Sequence, residues 1–255
     1  MKIALAVSPT EKAQGAAKRI AASHDWAPFD DADIIVALGG DGFMLQTLHQ
    51  MLDSRRIRPV YGLNLGTVGF LMNIWHDGDQ ILERITRAKT FEVYPLLMTA
   101  TTMAGKQVSY PAINEVSLLR ETRQTAKLEV SVNDYVRIGE LVCDGVLVAT
   151  PAGSTAYNLS ANGPILPLGC GMLALTPISP FRPRRWKGAI LPDSSRIGFR
   201  VLEPGKRPVS AVADQKEIRD IREIQVATDM ARKLTLLFDP GHSLDERIAA
   251  EQFIV

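Results

Sequence analysis

Of the 255 residues, 46% are hydrophobic and 22% charged, an ordinary globular balance with enough apolar material for a sizeable core, which argues against disorder. Twenty-nine basic against 28 acidic residues leave a formal charge of +1, and aromatics are only 6%, so neither a phosphate-tracking field nor a set of base-stacking platforms is available and no nucleic-acid partner is expected. Two cysteines, Cys143 and Cys170, make no disulfide scaffold or zinc site, and the first apolar run is too short for a signal-peptide core or a membrane span, so a cytoplasmic protein with no membrane attachment is expected.

Residues 2–7 read as a first buried strand. Over 10–22, Ala13, Ala16, Ala17, Ile20 and Ala21 fall on one helical face. Residues 34–38 are a fully apolar strand running into Gly39-Gly40, residues 43–52 a helix with Met44, Leu48 and Leu52 at spacing four, residues 58–63 a third strand, and residues 79–88 an amphipathic helix. Strand–helix alternation predicts βαβ units about a parallel, Rossmann-like sheet. Past Phe91 the rhythm changes to short Val-, Ile-, Leu- and Thr-rich segments with turns at Ala104-Gly105-Lys106 and Asn133-Asp134, resumed over 196–201, 224–227 and 234–238. Pro177, Pro180 and Pro183 among Arg182, Arg184 and Arg185 predict a loop over 176–188. Ser243-Leu244-Asp245-Glu246 is a capping box that opens a helix through Gln252. The expected organisation is an α/β domain over 1–91, a β-rich sandwich domain over 92–238, and a tail over 239–255 packing back on the first domain.

The clearest local signal is Gly39-Gly40-Asp41-Gly42, set between a buried strand and a helix. Ligands of open α/β sheets bind at the carboxyl ends of strands, and glycines at a helix N-terminus let an anion approach the backbone. Asp41 beside such a turn either orients or deprotonates a hydroxyl, helps hold a metal ion, or simply caps the helix. A second glycine-rich turn, from Gly62 through Gly66 and Gly69 to Phe70, follows the third strand and is expected beside the first. There is no G-x-x-x-x-G-K-[ST], and the G-x-G-x-x-G spacing is absent at the first turn, which disfavours a P-loop NTPase and an ordinary Rossmann dehydrogenase.

In the β-rich region, Asn114 and Glu115 interrupt an apolar strand pattern. Alternation sends their side chains to opposite faces unless the strand ends or bulges there. Asp144-Gly145 leads an apolar run into a turn dense in small and hydroxyl residues, Thr150-Pro151-Ala152-Gly153-Ser154-Thr155-Ala156-Tyr157-Asn158, with Ser160 just beyond. Neutral donors and acceptors, exposed backbone and one flat ring suit a nucleotide's sugar and base better than a metal. Ser154 lacks the G-x-S-x-G context of a hydrolase nucleophile, and none of His24, His49, His76 and His242 is marked as its base.

Taken together, Gly39-Gly40-Asp41-Gly42, Asn114-Glu115, and Asp144-Gly145 running into 150–157 resemble the signatures of NAD kinases, in the same order and at similar spacing; Gly163-Pro164-Ile165-Leu166 fits as well. The glycine–aspartate motif alone is shared with diacylglycerol and sphingosine kinases, whereas the 150–157 segment is specific. The resemblance spans about residues 2–253. It implies an N-terminal α/β domain, a β-rich C-terminal domain, NAD bound between them, and transfer of phosphate from ATP, with Mg²⁺, to the adenosine ribose 2′-hydroxyl to give NADP. By the same resemblance Asp41 is the general base, and Asn114 and Glu115 hold the ribose and adenine. Asp144 lies by the nicotinamide or across from a neighbouring subunit. Gly42, Ala152, Thr155, Ala156, Tyr157, Asn158, Ser160 and Gln215 line the dinucleotide site, and Gly39, Gly40, Gly66 and Gly69 form phosphate-binding turns. A homodimer or homotetramer is implied. Two positions depart from the pattern: Cys143 stands where Gly or Ser is expected, and Val142 where a basic residue is sometimes found, leaving Arg182, Arg184 and Arg185 as candidates to replace that charge. A lipid kinase and a non-catalytic dinucleotide sensor are the alternatives.

Overall fold

The structure, a computed structural model, describes residues 1–67, 69–76 and 80–241, so the expected helix over 243–252 and its capping box lie outside the described residues. The chain divides into two compact units, one comprising Met1–Val93 with the chain from Arg232 onward, the other Tyr94–Ala231.

In the first unit β1 (Ile3–Val7), β2 (Ile34–Gly39) and β3 (Val60–Asn64) run parallel in that spatial order. β2 and β3 are buried along almost their whole length, as near-continuous apolar runs in a covered parallel sheet require. α1 (Glu11–Ile20) starts at Thr10, whose hydroxyl accepts from the Ala13 N–H, and it buries Ala13, Ala16 and Ile20 against Ile3, Val36 and Leu38. α2 (Asp41–Ser54) buries Met44, Leu48, Met51 and Leu52 on one face and ends at Arg55 in the left-handed conformation. β4 (Asn73–Ile74) adds parallel to the end of β3, followed by α3 (Ile81–Arg87) and β5 (Lys89–Val93).

The strand Leu234–Phe238, assigned by its pattern to the β-rich domain, lies in this first sheet instead, parallel to β3 and antiparallel to β5. An apolar run states that a strand is buried but not which sheet it joins. Here it covers an edge of β3 that would otherwise stand open, and Phe238 meets Phe91 edge to face at 5.4 Å. The unit boundaries therefore fall after Val93 and Ala231, not after 91 and 238.

The second unit contains two antiparallel six-stranded sheets. One has the order Tyr135–Cys143, Ala126–Val132, Ile197–Val201, Ile221–Thr228, Leu96–Thr102, Gln107–Ala112; the other Ala189–Pro192, Met172–Ile178, Gly145–Ala149, Glu115–Arg120, Val209–Ala213, Lys216–Ile218. Alternate residues of both, including Met98, Leu128, Phe199 and Val226 from the first and Val116, Leu118, Val148 and Leu173 from the second, form one buried core, which makes the unit a β-sandwich. Asn133 and Asp134, both at positive φ, make the tight hairpin turn expected of them. Pro177, expected in a loop, lies inside Met172–Ile178. Its missing N–H costs no ladder bond because pairing with Ala189–Pro192 stops at Leu175.

Candidate active site

The sequence Gly39-Gly40-Asp41-Gly42 is the strand-to-helix turn that joins β2 to α2. The helix N-cap is Gly40, and Asp41 is the first helical residue. Its carboxylate reaches sideways: Oδ2 accepts from the Phe70 N–H and Oδ1 from the Leu71 N–H, both at 2.9 Å. The capping role considered for Asp41 gives way to a link between the two glycine turns. Its origin is local. Gly69, at φ 77°, opens a turn closed by the Met72 N–H on the Gly69 carbonyl, and the two central amides of such a turn have no partner within it. Asp41 satisfies both. A Cβ at Gly69 would lie 2.4 Å from the Asn64 side chain as well as at an unfavourable φ, so this turn requires glycine. The two turns touch where a Cβ on Gly66 would lie 3.3 Å from the Gly40 Cα. Each Asp41 oxygen keeps a further lone pair, and the first two amides of α2, of Asp41 and Gly42, precede its first backbone bond, from the Phe43 N–H to the Gly40 carbonyl, so the turn offers an aimed carboxylate beside backbone suited to an anion. Gly42 is exposed with open space at its Cα.

In the second unit the chain leaves one sheet at Ala112 and enters the other at Glu115. The break is the strand end that frees Asn114 and Glu115 from alternation. Three successive amides are bound by one carboxylate: Asp214 Oδ2 accepts from Ile113 N–H (2.6 Å), and Oδ1 from Asn114 and Glu115 N–H (3.0 and 3.2 Å). From the other side, the Thr150 N–H donates to the Asn114 carbonyl (2.9 Å) and its hydroxyl to the Ile113 carbonyl (2.7 Å). Gly153 presses so closely that a Cβ would lie 2.1 Å from the Asn114 carbonyl oxygen. Inside this cradle, Asn114 Oδ1 and Glu115 Oε2 are buried with no hydrogen-bond partner. An unpaired buried polar atom costs ~1–3 kcal/mol, which a ligand bearing hydroxyl or amino donors would remove.

Burial, and then the neighbouring Asp214 carboxylate, pushes Glu115 up to about 7, against the Tyr157 backbone N–H, which favours the ionised form. The sign follows. Glu115 binds its proton more tightly in the folded than in the unfolded protein, so its contribution to stability is full at acid pH and is lost as pH rises through about 7. A donor-bearing ligand favours the carboxylate instead. Affinity for such a ligand is therefore expected to strengthen with rising pH, up to ~10-fold per unit below the midpoint, and then level off. Calorimetry between about pH 5.5 and 8.5 checks this, with Glu115→Gln flattening the dependence.

Ala152 and Gly153 are buried in a turn, Thr155, Ala156 and Tyr157 are half-buried, and the Tyr157 N–H meets the Glu115 carboxyl. Burial, and then the Glu115 and Asp144 carboxylates, raises the Tyr157 hydroxyl above its ordinary value, so it stays a neutral donor. Asn158, expected to line the site, is fully buried and consumed internally: Nδ2 donates to the Ser154 and Pro164 carbonyls and Oδ1 accepts from Thr176. The Ser154 hydroxyl is likewise enclosed, donating to the Pro151 carbonyl and accepting from the Leu166 N–H, which leaves no nucleophile there. These polar groups build the turn and do not face a ligand. Ser160 is exposed at the end of the short helix Tyr157–Ser160, and Gln215 at the hairpin tip next to Asp214.

Asp144 accepts from Arg120 Nε at 2.7 Å. Arg182 and Phe181 pair through their backbones with Val142, so the basic loop starts there, but its arginines are exposed and the cation that meets Asp144 is Arg120. Burial raises the Cys143 thiol to about 12, an inert packing residue. Among the described residues no group of three or more His, Cys, Asp or Glu could hold a metal ion, and no helix is long and apolar enough to cross a membrane. Sequence reasoning missed Arg120, and it passed over Asp214, whose only signal is an acid at the start of a tight turn after an apolar strand.

Family models describe the same two parts of the chain: the ATP-NAD kinase N-terminal domain matches residues 4–90 and the ATP-NAD kinase C-terminal domain residues 113–231. An NAD kinase of Zymomonas mobilis is 62% identical over 99% of this chain and 97% of its own length, and one of Caulobacter vibrioides 55% identical over 99% and 96%. The chain belongs to the ATP-NAD kinase family. The family fold recurs in solved structures at 22% identity: a yeast NADH kinase complexed with NADH (TM-score 0.81, 98% of this chain, 86% of that one) and an NAD kinase from Archaeoglobus fulgidus in complex with ATP (TM-score 0.77, 98% of each). Within the family reading, the glycine turns and Asp41 fall in the N-terminal domain, and Asn114, Glu115, Asp144 and the 150–160 segment in the C-terminal one.

Proposed function

We propose that this protein is an NAD kinase that transfers the γ-phosphoryl group of ATP to the 2′-hydroxyl of the adenosine ribose of NAD, giving NADP and ADP. The observation that carries this reading is the 62% identity to an NAD kinase along essentially the full length of both chains. The orphaned acceptors at Asn114 and Glu115 support it from the structure, since a ribose and an adenine amino group supply the donors they lack.

Phosphoryl transfer needs positioning and charge neutralisation more than covalent chemistry. Asp41 accepts the proton as the 2′-oxygen bonds to the γ-phosphorus and the bond to the β-phosphate oxygen breaks. Gly39, Gly40, Gly42, Gly66 and Gly69 let phosphate oxygens approach backbone N–H groups. Asn114 and Glu115 bind the adenosine half, Ala152, Thr155, Ala156 and Tyr157 line the dinucleotide site, and Asp144, held by Arg120, serves the nicotinamide half. Mg²⁺ arrives on the ATP triphosphate as part of that substrate. The protein works in the cytoplasm as a homodimer or homotetramer.

Incubation with NAD, ATP and Mg²⁺ followed by phosphorus NMR tests the reading. One product is expected, phosphorylated on the adenosine 2′-oxygen; a phosphate on the nicotinamide ribose, or none, overturns it. Diacylglycerol vesicles under the same conditions should gain no phosphate.

A further inference from the structure

Asn73 is fully buried at the start of β4, two residues beyond Leu71. Its Nδ2 donates to the Gly62 carbonyl of β3 (3.0 Å) and to the Leu237 carbonyl of the strand Leu234–Phe238 (2.9 Å), while its Oδ1 accepts from the Asp239 N–H (2.9 Å). Two donors and an acceptor on so short a stem are a pattern only asparagine provides; aspartate lacks the donors, and glutamine is one carbon longer. The Asp239 end of this anchor is itself fixed, with its carboxylate accepting from the Tyr61 hydroxyl (2.7 Å) and from Arg84. Arg84 also donates to the Ile74 carbonyl, the residue after Asn73. The segment that leaves the 69–72 turn is therefore pinned to two adjacent strands of the sheet within two residues of the Leu71 amide that Asp41 accepts.

We infer that Asn73 is a positioning residue for phosphoryl transfer: it locks the turn whose Phe70 and Leu71 amides aim the Asp41 carboxylate. The inference rests on the reading of Asp41 as the base. A base displaced by a fraction of an ångström to 1 Å loses up to ~10²-fold in rate, whereas substrate affinity, set by other residues, is spared.

The test is a double-mutant cycle on the full chain, comparing wild type, Asn73→Ala, Asp41→Asn and the double variant, with Leu52→Ala as a core truncation in α2 that lowers the melting temperature without touching the turn. Asn73→Ala is expected to lower kcat by ~10–100-fold with KM for NAD within about 3-fold. It should add less than about 2-fold in the Asp41→Asn background, because the path it acts through is already gone. Leu52→Ala should lose stability with kcat nearly unchanged. Unchanged kcat in Asn73→Ala, or equal losses in both backgrounds, overturns the inference and leaves the base assignment standing; full turnover in Asp41→Asn removes the base assignment and the inference with it. Asn73→Asp keeps the volume and the acceptor but not the donors, and should follow Asn73→Ala. If neither variant accumulates as folded protein, Asn73 serves the fold and not the turn, and the inference fails.

Discussion

Asp41→Asn is expected to lower turnover by ~10²-fold or more while NAD affinity stays within about tenfold. The amide cannot take the proton of the 2′-hydroxyl. It also disturbs its support: Asp41 accepts from two N–H groups, Phe70 and Leu71, and an asparagine can accept from one while its Nδ2 faces the other. Because Asn114 and Glu115, the proposed adenosine contacts, belong to the other unit, binding should survive. Steady-state kinetics, calorimetry with NAD and circular dichroism separate the three effects. Wild-type turnover with an intact fold would show that Asp41 is not the base.

The elements of the first unit were legible because their patterns are local: apolar runs at β2 and β3, a period-3.6 face on α1, and glycines after each strand. What period and propensity do not encode is pairing across long separations. The strand Leu234–Phe238 lies more than 170 residues from β3, its partner, and its composition is equally suited to either unit. Pro177 misled for the opposite reason, since proline reads as a breaker unless the neighbouring strand is known to have stopped.

At the site, the motif residues were legible and their supports were not. Asp41 stands out as a carboxylate within a glycine turn, and Asn114 and Glu115 because polar groups interrupt an apolar pattern. Whether a polar side chain faces a ligand or braces the chain depends on partners distant in sequence. Asn158 and Ser154 looked equally suited to a ligand, yet they are spent on Thr176, Pro164 and Leu166. Arg120, 24 residues before Asp144, carries no local mark of its pairing.

Asp214 is the support whose loss should be felt most widely. Its carboxylate is the partner of three consecutive amides at Ile113, Asn114 and Glu115, and removing one partner from a buried group costs ~1–3 kcal/mol. Asp214→Ala is therefore expected to destabilise the protein by about 3 kcal/mol or more, read as a lower urea midpoint, and to weaken NAD binding because the two acceptors lose their orientation. Asp214→Asn should fall between: its oxygen still serves the Asn114 and Glu115 amides, but its Nδ2 meets the Ile113 N–H. A second consequence separates this role from general stability. Asp214 is one of the causes that hold Glu115 up to about 7, so Asp214→Asn should move the midpoint of the pH dependence of NAD affinity downward, toward the ordinary carboxylate range. An Asp214→Ala protein with wild-type stability, or an Asp214→Asn protein whose midpoint does not move, would show that the three amides and the Glu115 carboxyl owe their state to something other than this carboxylate.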